Sequence, residues 1–185
     1  MSSRVSITGR LLGGRLHTLK EEDGDSARYN ALLLLDEGQE DKVNAAVEHA
    51  INEKWGKKKP SGLATWGVRE GDDEEYSNTF GKLFINPKTK DKPQLFLKHN
   101  GRCSHITKES GIIYPGCYVA LSISAYAMDG VKTKEKTMPP TVSLSLRGVL
   151  FVRDGDPLSD VVDGDLEFQE FEDSEVSADF DDFDL

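Results

Sequence analysis

Two late segments of the chain carry the residue types best suited to chemistry. In Cys117–Met128, the residues Cys117, Val119, Leu121, Ile123, Ala125 and Ala127 alternate with Tyr118, Ala120, Ser122, Ser124 and Tyr126. In Thr141–Arg153, Val142, Leu144, Leu146, Leu150 and Val152 read as one face, and Ser143, Ser145, Arg147, Phe151 and Arg153 as the other. Period-two alternation is the pattern of strands whose successive side chains point to opposite faces. One face then builds a core and the other displays Tyr118, Tyr126, Arg147, Phe151 and Arg153. Rings accept stacked bases for about 1–3 kcal/mol each, and guanidinium groups meet phosphates, so the chemistry on offer is recognition of single-stranded nucleic acid. The competing reading packs the rings beneath a helix or loops and leaves the arginines to solvent. Trp66, in an irregular stretch between Thr65 and Gly67, has the same two readings, stacking residue or core anchor.

Basic loops add to the first reading. Lys54, Lys57, Lys58 and Lys59 form one cluster, Lys82, Lys88, Lys90, Lys92, Lys98, Arg102 and Lys108 a second, and Lys132, Lys134 and Lys136 a third. A lysine run alone is usually a solvated face; beside an aromatic strand face it becomes a phosphate track. The candidate nucleic-acid contacts are Lys57, Lys58, Lys59, Trp66, Lys82, Lys88, Lys90, Lys98, Arg102, Tyr118, Tyr126, Arg147, Phe151 and Arg153.

Other chemistries find little support. His99, Cys103, His105 and Cys117 are zinc-ligand types, but their spacing matches no strong zinc pattern, and Cys117 falls at an inward strand position. Asp154, Asp156, Asp160, Asp163 and Asp165 lack the glycine and glutamate spacing of a calcium loop and read as a solvated acidic linker. No phosphate-loop or nucleophile-elbow signature is present, so a binding protein without metal or cofactor is expected rather than an enzyme.

The charge is divided sharply along the chain. Residues 1–153 hold all 23 Lys and Arg and 19 of the 33 acids, a net +4, whereas residues 154–185 hold fourteen acids and no base. Such a segment repels itself and is expected to be disordered, yet Phe168, Phe171, Phe180, Phe183 and Leu185 punctuate it. Apolar anchors in an acidic run suit docking to a basic pocket, with Phe180, Asp181, Asp182, Phe183, Asp184 and Leu185 as the partner-binding end. The tail can equally compete with nucleic acid for the body's own cations. The expected organisation is a binding domain over residues 1–158 and an acidic tail over 159–185.

Positioning these residues requires a mainly β body. Arg4–Leu12 alternates, Gly13-Gly14 allows a bend or bulge after which Arg15–Leu19 can resume the strand, and Arg28–Asp36 reads as a strand buried on both faces after a turn at Glu21–Asp25. One helix, about Gln39–Trp55, is predicted from Val43, Ala46, Val47, Ala50, Ile51 and Trp55 at three- and four-residue spacing, with Gly56 to stop it. Residues 57 to about 75 read as an excursion outside the sheet, and Phe80–Ile85 and Gln94–His99 as further strands. The sum is a small, partly open antiparallel barrel with one helix and long loops. Two cysteines, no signal-peptide pattern and no apolar run of bilayer length point to a cytoplasmic protein away from membranes.

The segments Gly9-Arg10-Leu11, Tyr114–Tyr126, Val142–Asp156 and Asp179–Leu185 together resemble phage-encoded single-stranded DNA-binding proteins with an OB fold, distantly similar to the T7-type protein. The resemblance covers most of residues 1–160 in order. It implies sequence-tolerant, non-catalytic binding of single-stranded DNA during phage replication or recombination, in the cytoplasm of an infected host. It also implies replication or recombination proteins as partners of the tail, and self-association on DNA is compatible with it. Tails of this type usually end in an aromatic residue, whereas here Asp184 and Leu185 follow Phe183. An acidic interaction protein, such as a DNA mimic that inhibits a host nuclease, is the alternative; the +4 body argues against it.

Overall fold

The computed structural model of the chain describes residues 3–19, 27–72, 79–133 and 137–158. The strands are β1 Arg4–Arg15, β2 Tyr29–Leu35, β3 Ala64–Trp66, β4 Arg69–Glu70, β5 Leu83–Ile85, β6 Lys88–Thr89, β7 Gln94–His99, β8 Arg102–His105, β9 Tyr118–Met128, β10 Val131–Lys132, β11 Thr137–Met138 and β12 Thr141–Arg153. The helix α1 spans Glu40–Trp55. The main sheet runs β4-β5-β2-β1-β9-β12-β7-β8, and the short β6 pairs with both β12 and β2. The body is therefore a mainly β, partly open barrel whose closure is a two-residue stitch. Most ladders are antiparallel, but β3, β6 and β7 join β12 in parallel. Parallel neighbours need long connections, which the stretches between these strands supply.

The core follows from the alternation. Ile7 and Leu11 of β1, Val119, Leu121, Ile123 and Ala125 of β9, and Val142, Leu144 and Leu146 of β12 are all buried. The α1 stripe Val43, Ala46, Val47, Ala50 and Ile51 is buried with them. At the helix start, Gln39 Oε1 accepts the Thr8 backbone N–H at 3.3 Å, tying α1 to β1. At its end, Asp129 holds Lys54 Nζ at 2.7 Å and the Trp55 indole N–H at 2.8 Å. These contacts, Lys54 first, keep the Asp129 carboxyl below its ordinary pKa.

Several sequence expectations need correction. β1 runs unbroken through Gly13-Gly14 with a register shift between Leu11 and Gly13, the bulge rather than the bend, and it ends at Arg15 instead of resuming to Leu19. Gly14 has φ 140°, and a Cβ there would collide with the Asn30 carbonyl of β2. The stretch after α1 is only partly outside the sheet, since β3 and β4 lie within it. Of Phe80–Ile85, only Leu83–Ile85 is strand. In β2 one face is buried and the other half-buried.

The largest correction concerns β12. Its register shifts between Leu146, opposite Ile123, and Gly148, opposite Ser122, so Arg147 is an extra, bulged residue. A bulge reverses the inward and outward phase of the residues beyond it. Val149 is fully buried, Phe151 packs against the core, and Val152 is 49% exposed. Phe151 is thus removed from the solvent face to which its spacing from Arg147 assigns it, Leu150 leaves the core face, and a second register shift between Phe151 and Arg153 makes Val152 an extra residue and returns Arg153 to the outward face.

Candidate nucleic-acid interface

Strand pairing builds the outward face in rows. Trp66 of β3, Ser143 of β12 and Tyr126 of β9 are in register. The next row is Lys88, Ser145, Ser124 and Arg4, across β6, β12, β9 and β1. Then come Gln94, Gly148, Ser122 and Ser6, followed by Phe96, Leu150, Ala120 and Thr8. The last is Arg153, Tyr118 and Arg10. In-register partners share a face, so small side chains form a floor between aromatic and cationic walls.

Three adjoining cavities lie along this trough. The first, about 290 Å³, lies between Trp66, Arg69, Asn86, Lys88, Tyr126 and Ser143. The second, about 420 Å³, includes Arg4, Ser124, Tyr126 and Arg147, with Glu53 and Lys54 of α1 at its rim. The third, about 500 Å³, includes Lys92, Gln94, Phe96, Ser122, Ser145 and Arg147. Tyr126 is common to the first two and Arg147 to the last two, so the three follow one another along the face.

Trp66 and Tyr126 are 57% and 42% exposed, so each ring offers open surface. Only Ser143 stands between them in the row, two strand spacings apart, roughly 10 Å. The Arg69 guanidinium lies 5.8 Å from the Trp66 ring and 4.7 Å from the Phe84 ring, bracing the wall. At the far end Arg153 lies 3.4 Å over the Tyr118 ring, and Gly155 approaches the same ring. Tyr118 is therefore half-buried, with Arg153 covering it.

That end also fixes the departing chain. Arg10 donates from Nε to the Gly116 carbonyl at 3.1 Å and from Nη2 to the Asp156 carbonyl at 2.8 Å. The Tyr114 hydroxyl lies 3.0 Å from Asp154 Oδ1 and accepts the Gly155 N–H at 3.2 Å. Leu158 N–H donates to the Pro115 carbonyl at 3.0 Å. Gly116, at φ 111°, is required because a Cβ would collide with the Asp156 carbonyl.

The candidate contacts thus divide. Trp66, Lys88, Tyr126 and Arg147 come together along the trough, whereas Tyr118 and Arg153 hold each other at its end. Lys57, Lys58 and Lys59 are exposed after α1, with Lys59 Nζ 3.0 Å from Glu48. Lys82 sits in the exposed turn before β5, and Lys90 in the loop after β6. Lys98 and Arg102 lie on the β7–β8 hairpin. None of these outlying cations lines the three cavities. Phe180, Asp181, Asp182, Phe183, Asp184 and Leu185, together with Lys134 and Lys136, lie outside the described residues. Cys103 is exposed opposite Lys98, while Cys117 is in the core, where burial pushes its thiol pKa up. Cys117 is thereby separated from Cys103, and no group of three or more His, Cys, Asp or Glu side chains placed to hold a metal occurs among the described residues.

Arg4, Arg69 and Phe96 are wall residues absent from the sequence-derived set. Arg4 is legible in the sequence, since it falls on the polar phase of β1; Arg69 lies in a two-residue strand with no periodicity to read. Phe96 faces outward because it pairs with Leu150 beyond the bulge.

In class this is a one-helix, OB-type barrel with a solvent-facing trough of aromatic and cationic side chains. The chain belongs to the family of the Enterobacter phage Enc34 single-stranded DNA-binding protein, whose family model matches residues 9–180. It is 31% identical over 140 residues to protein p50 of Acyrthosiphon pisum secondary endosymbiont phage 1, covering 70% of this chain and 71% of that one. The fold matches the bacteriophage Enc34 single-stranded DNA-binding protein in complex with single-stranded DNA at TM-score 0.62 and 17% identity, over 85% of this chain and 90% of that one. It matches gp2.5 of bacteriophage T7, a single-stranded DNA-binding protein, at TM-score 0.54 and 14% identity, over 86% and 97% of the two chains.

Proposed function

We propose that this protein binds single-stranded DNA with little sequence preference in phage DNA replication or recombination, without catalysis. The observation that carries the reading is the succession of adjoining cavities from Trp66 through Tyr126 and Arg147 to Phe96. Its floor of Ser, Ala, Thr and Gly admits bases closely, and its rings supply sequence-tolerant stacking. Arg4, Lys88, Lys92 and Arg147 meet phosphates, which position the strand without reading bases. In this reading the binding domain spans residues 1–158, a limit supported by the Leu158 N–H bond to the Pro115 carbonyl. Residues 159–185 form the acidic tail, which recruits replication or recombination proteins through residues 180–185 and competes with DNA for the same cations.

Labelled-oligonucleotide binding with and without Mg²⁺ tests this directly. Binding without cleavage is expected, and log K should fall with log[salt] at roughly −0.7 per neutralised phosphate. Arg147→Ala should reduce that slope by about one such increment and weaken all sequences alike. Deleting residues 160–185 removes twelve acids and should tighten binding most at low salt, where screening is weakest. Cleavage, or a flat salt response, overturns the reading; unchanged low-salt affinity after the deletion removes the tail's competing role.

A further inference from the structure

The second half of β1 leads away from the trough to another cavity. It measures about 210 Å³ and is lined by residues 14–19 and Lys108. Arg15 pairs with Asn30 of β2, Asn30 with Lys88 of β6, and Lys88 with Ser145 of β12. Arg15 therefore ends a row that begins on the trough floor. Lys92 links the two places from another direction: it lines the trough's third cavity beside Arg147 and is close enough to His17 to act on its charge. Burial first, then Lys108 and Lys92, hold the His17 pKa below its ordinary value, and Glu109 opposes them. Lys108 and Lys92 thus act on a half-buried imidazole whose lowered pKa leaves it mainly neutral at neutral pH, and Arg15 lines the same cavity as His17 and Lys108.

We infer that Arg15, His17, Lys92 and Lys108 form a phosphate subsite at the exit of the trough, engaged more tightly when His17 is protonated. This rests on the proposed binding of single-stranded DNA and extends its path past β1. A phosphate placed among these groups offsets the repulsion of Lys92 and Lys108 and adds to the favourable pull of Glu109, so it favours the imidazolium. The bound His17 then has a higher pKa than the free one, and binding takes up a proton. Affinity therefore rises as pH falls through the bound-state pKa and levels off below the free-state pKa. A rise of one unit on binding corresponds to about tenfold tighter binding at the acid end.

The test is affinity of the full-length protein for oligothymidylate between about pH 5 and pH 8. The oligonucleotide should be longer than the roughly 4–16 nucleotides an OB fold occludes. The wild type should tighten about tenfold on acidification. His17→Gln should lose that response, and His17→Lys should bind tightly with no response, which separates a charge effect from a folding defect. Lys108→Gln should weaken binding overall and move the response to higher pH, because one source of repulsion is gone. His99→Gln, on the β7–β8 hairpin opposite Arg102 and outside the three trough cavities, should leave the response in place. A response that survives in His17→Gln, or that disappears in His99→Gln, overturns the subsite. Absence of binding by the wild type at every pH overturns the proposed function instead.

Discussion

Trp66→Ala and Tyr126→Ala should each weaken oligonucleotide binding by about 1–3 kcal/mol, because each removes a stacking surface. Melting temperature should stay close to wild type. Both rings are already exposed, and their neighbour in the row is Ser143, so truncation opens no core cavity. The double variant should approach the sum if each ring holds a different base and fall short of it if one base touches both. Fluorescence anisotropy beside thermal melting settles the assignment: a lowered melting temperature with unchanged affinity would make these rings structural.

Phe151→Ala should do the reverse, destabilising the protein by about 2–3 kcal/mol, below the range for a fully buried Phe because the ring is half-buried. Binding measured well below the melting temperature should remain near wild type. A denaturant titration gives the first quantity and a binding isotherm the second. Selective loss of binding with undiminished stability would return Phe151 to the DNA face and contradict its contact with the core.

The contrast between Trp66 and Phe151 marks where sequence alone is sufficient. Strong alternation in Tyr118–Met128 and the α1 stripe place those elements correctly, because burial on one face imposes a period. The limits of β12 are equally legible, but its phase beyond Leu146 is not, since strict alternation carried across the whole strand assigns Phe151 to the wrong face. The signal that could correct it is Gly148 inside an apolar strand, a common mark of a bulge. Three-residue β3 and two-residue β4 and β6 are too short to show any period. β3 and β6 find parallel or bridging partners far along the chain and β4 has only the three-residue β5 beside it, so Arg69 and the juxtaposition of Trp66 with Tyr126 emerge only from the assembled sheet.

The stitch at β6 has a mechanical consequence. Lys88 bridges Ser145 and Asn30, Thr89 pairs with Tyr29, and the Ala31 N–H reaches the Pro87 carbonyl at 3.3 Å. The β2–β1, β1–β9 and β9–β12 ladders that complete the ring are all longer, so this seam is where the fewest bonds must break for the ring to open. Lys88 is at once the button of that seam and a wall of the trough. A polyanion lying across it would add fastening from outside, making occupancy a latch on the barrel and coupling the protein's stability to its cargo.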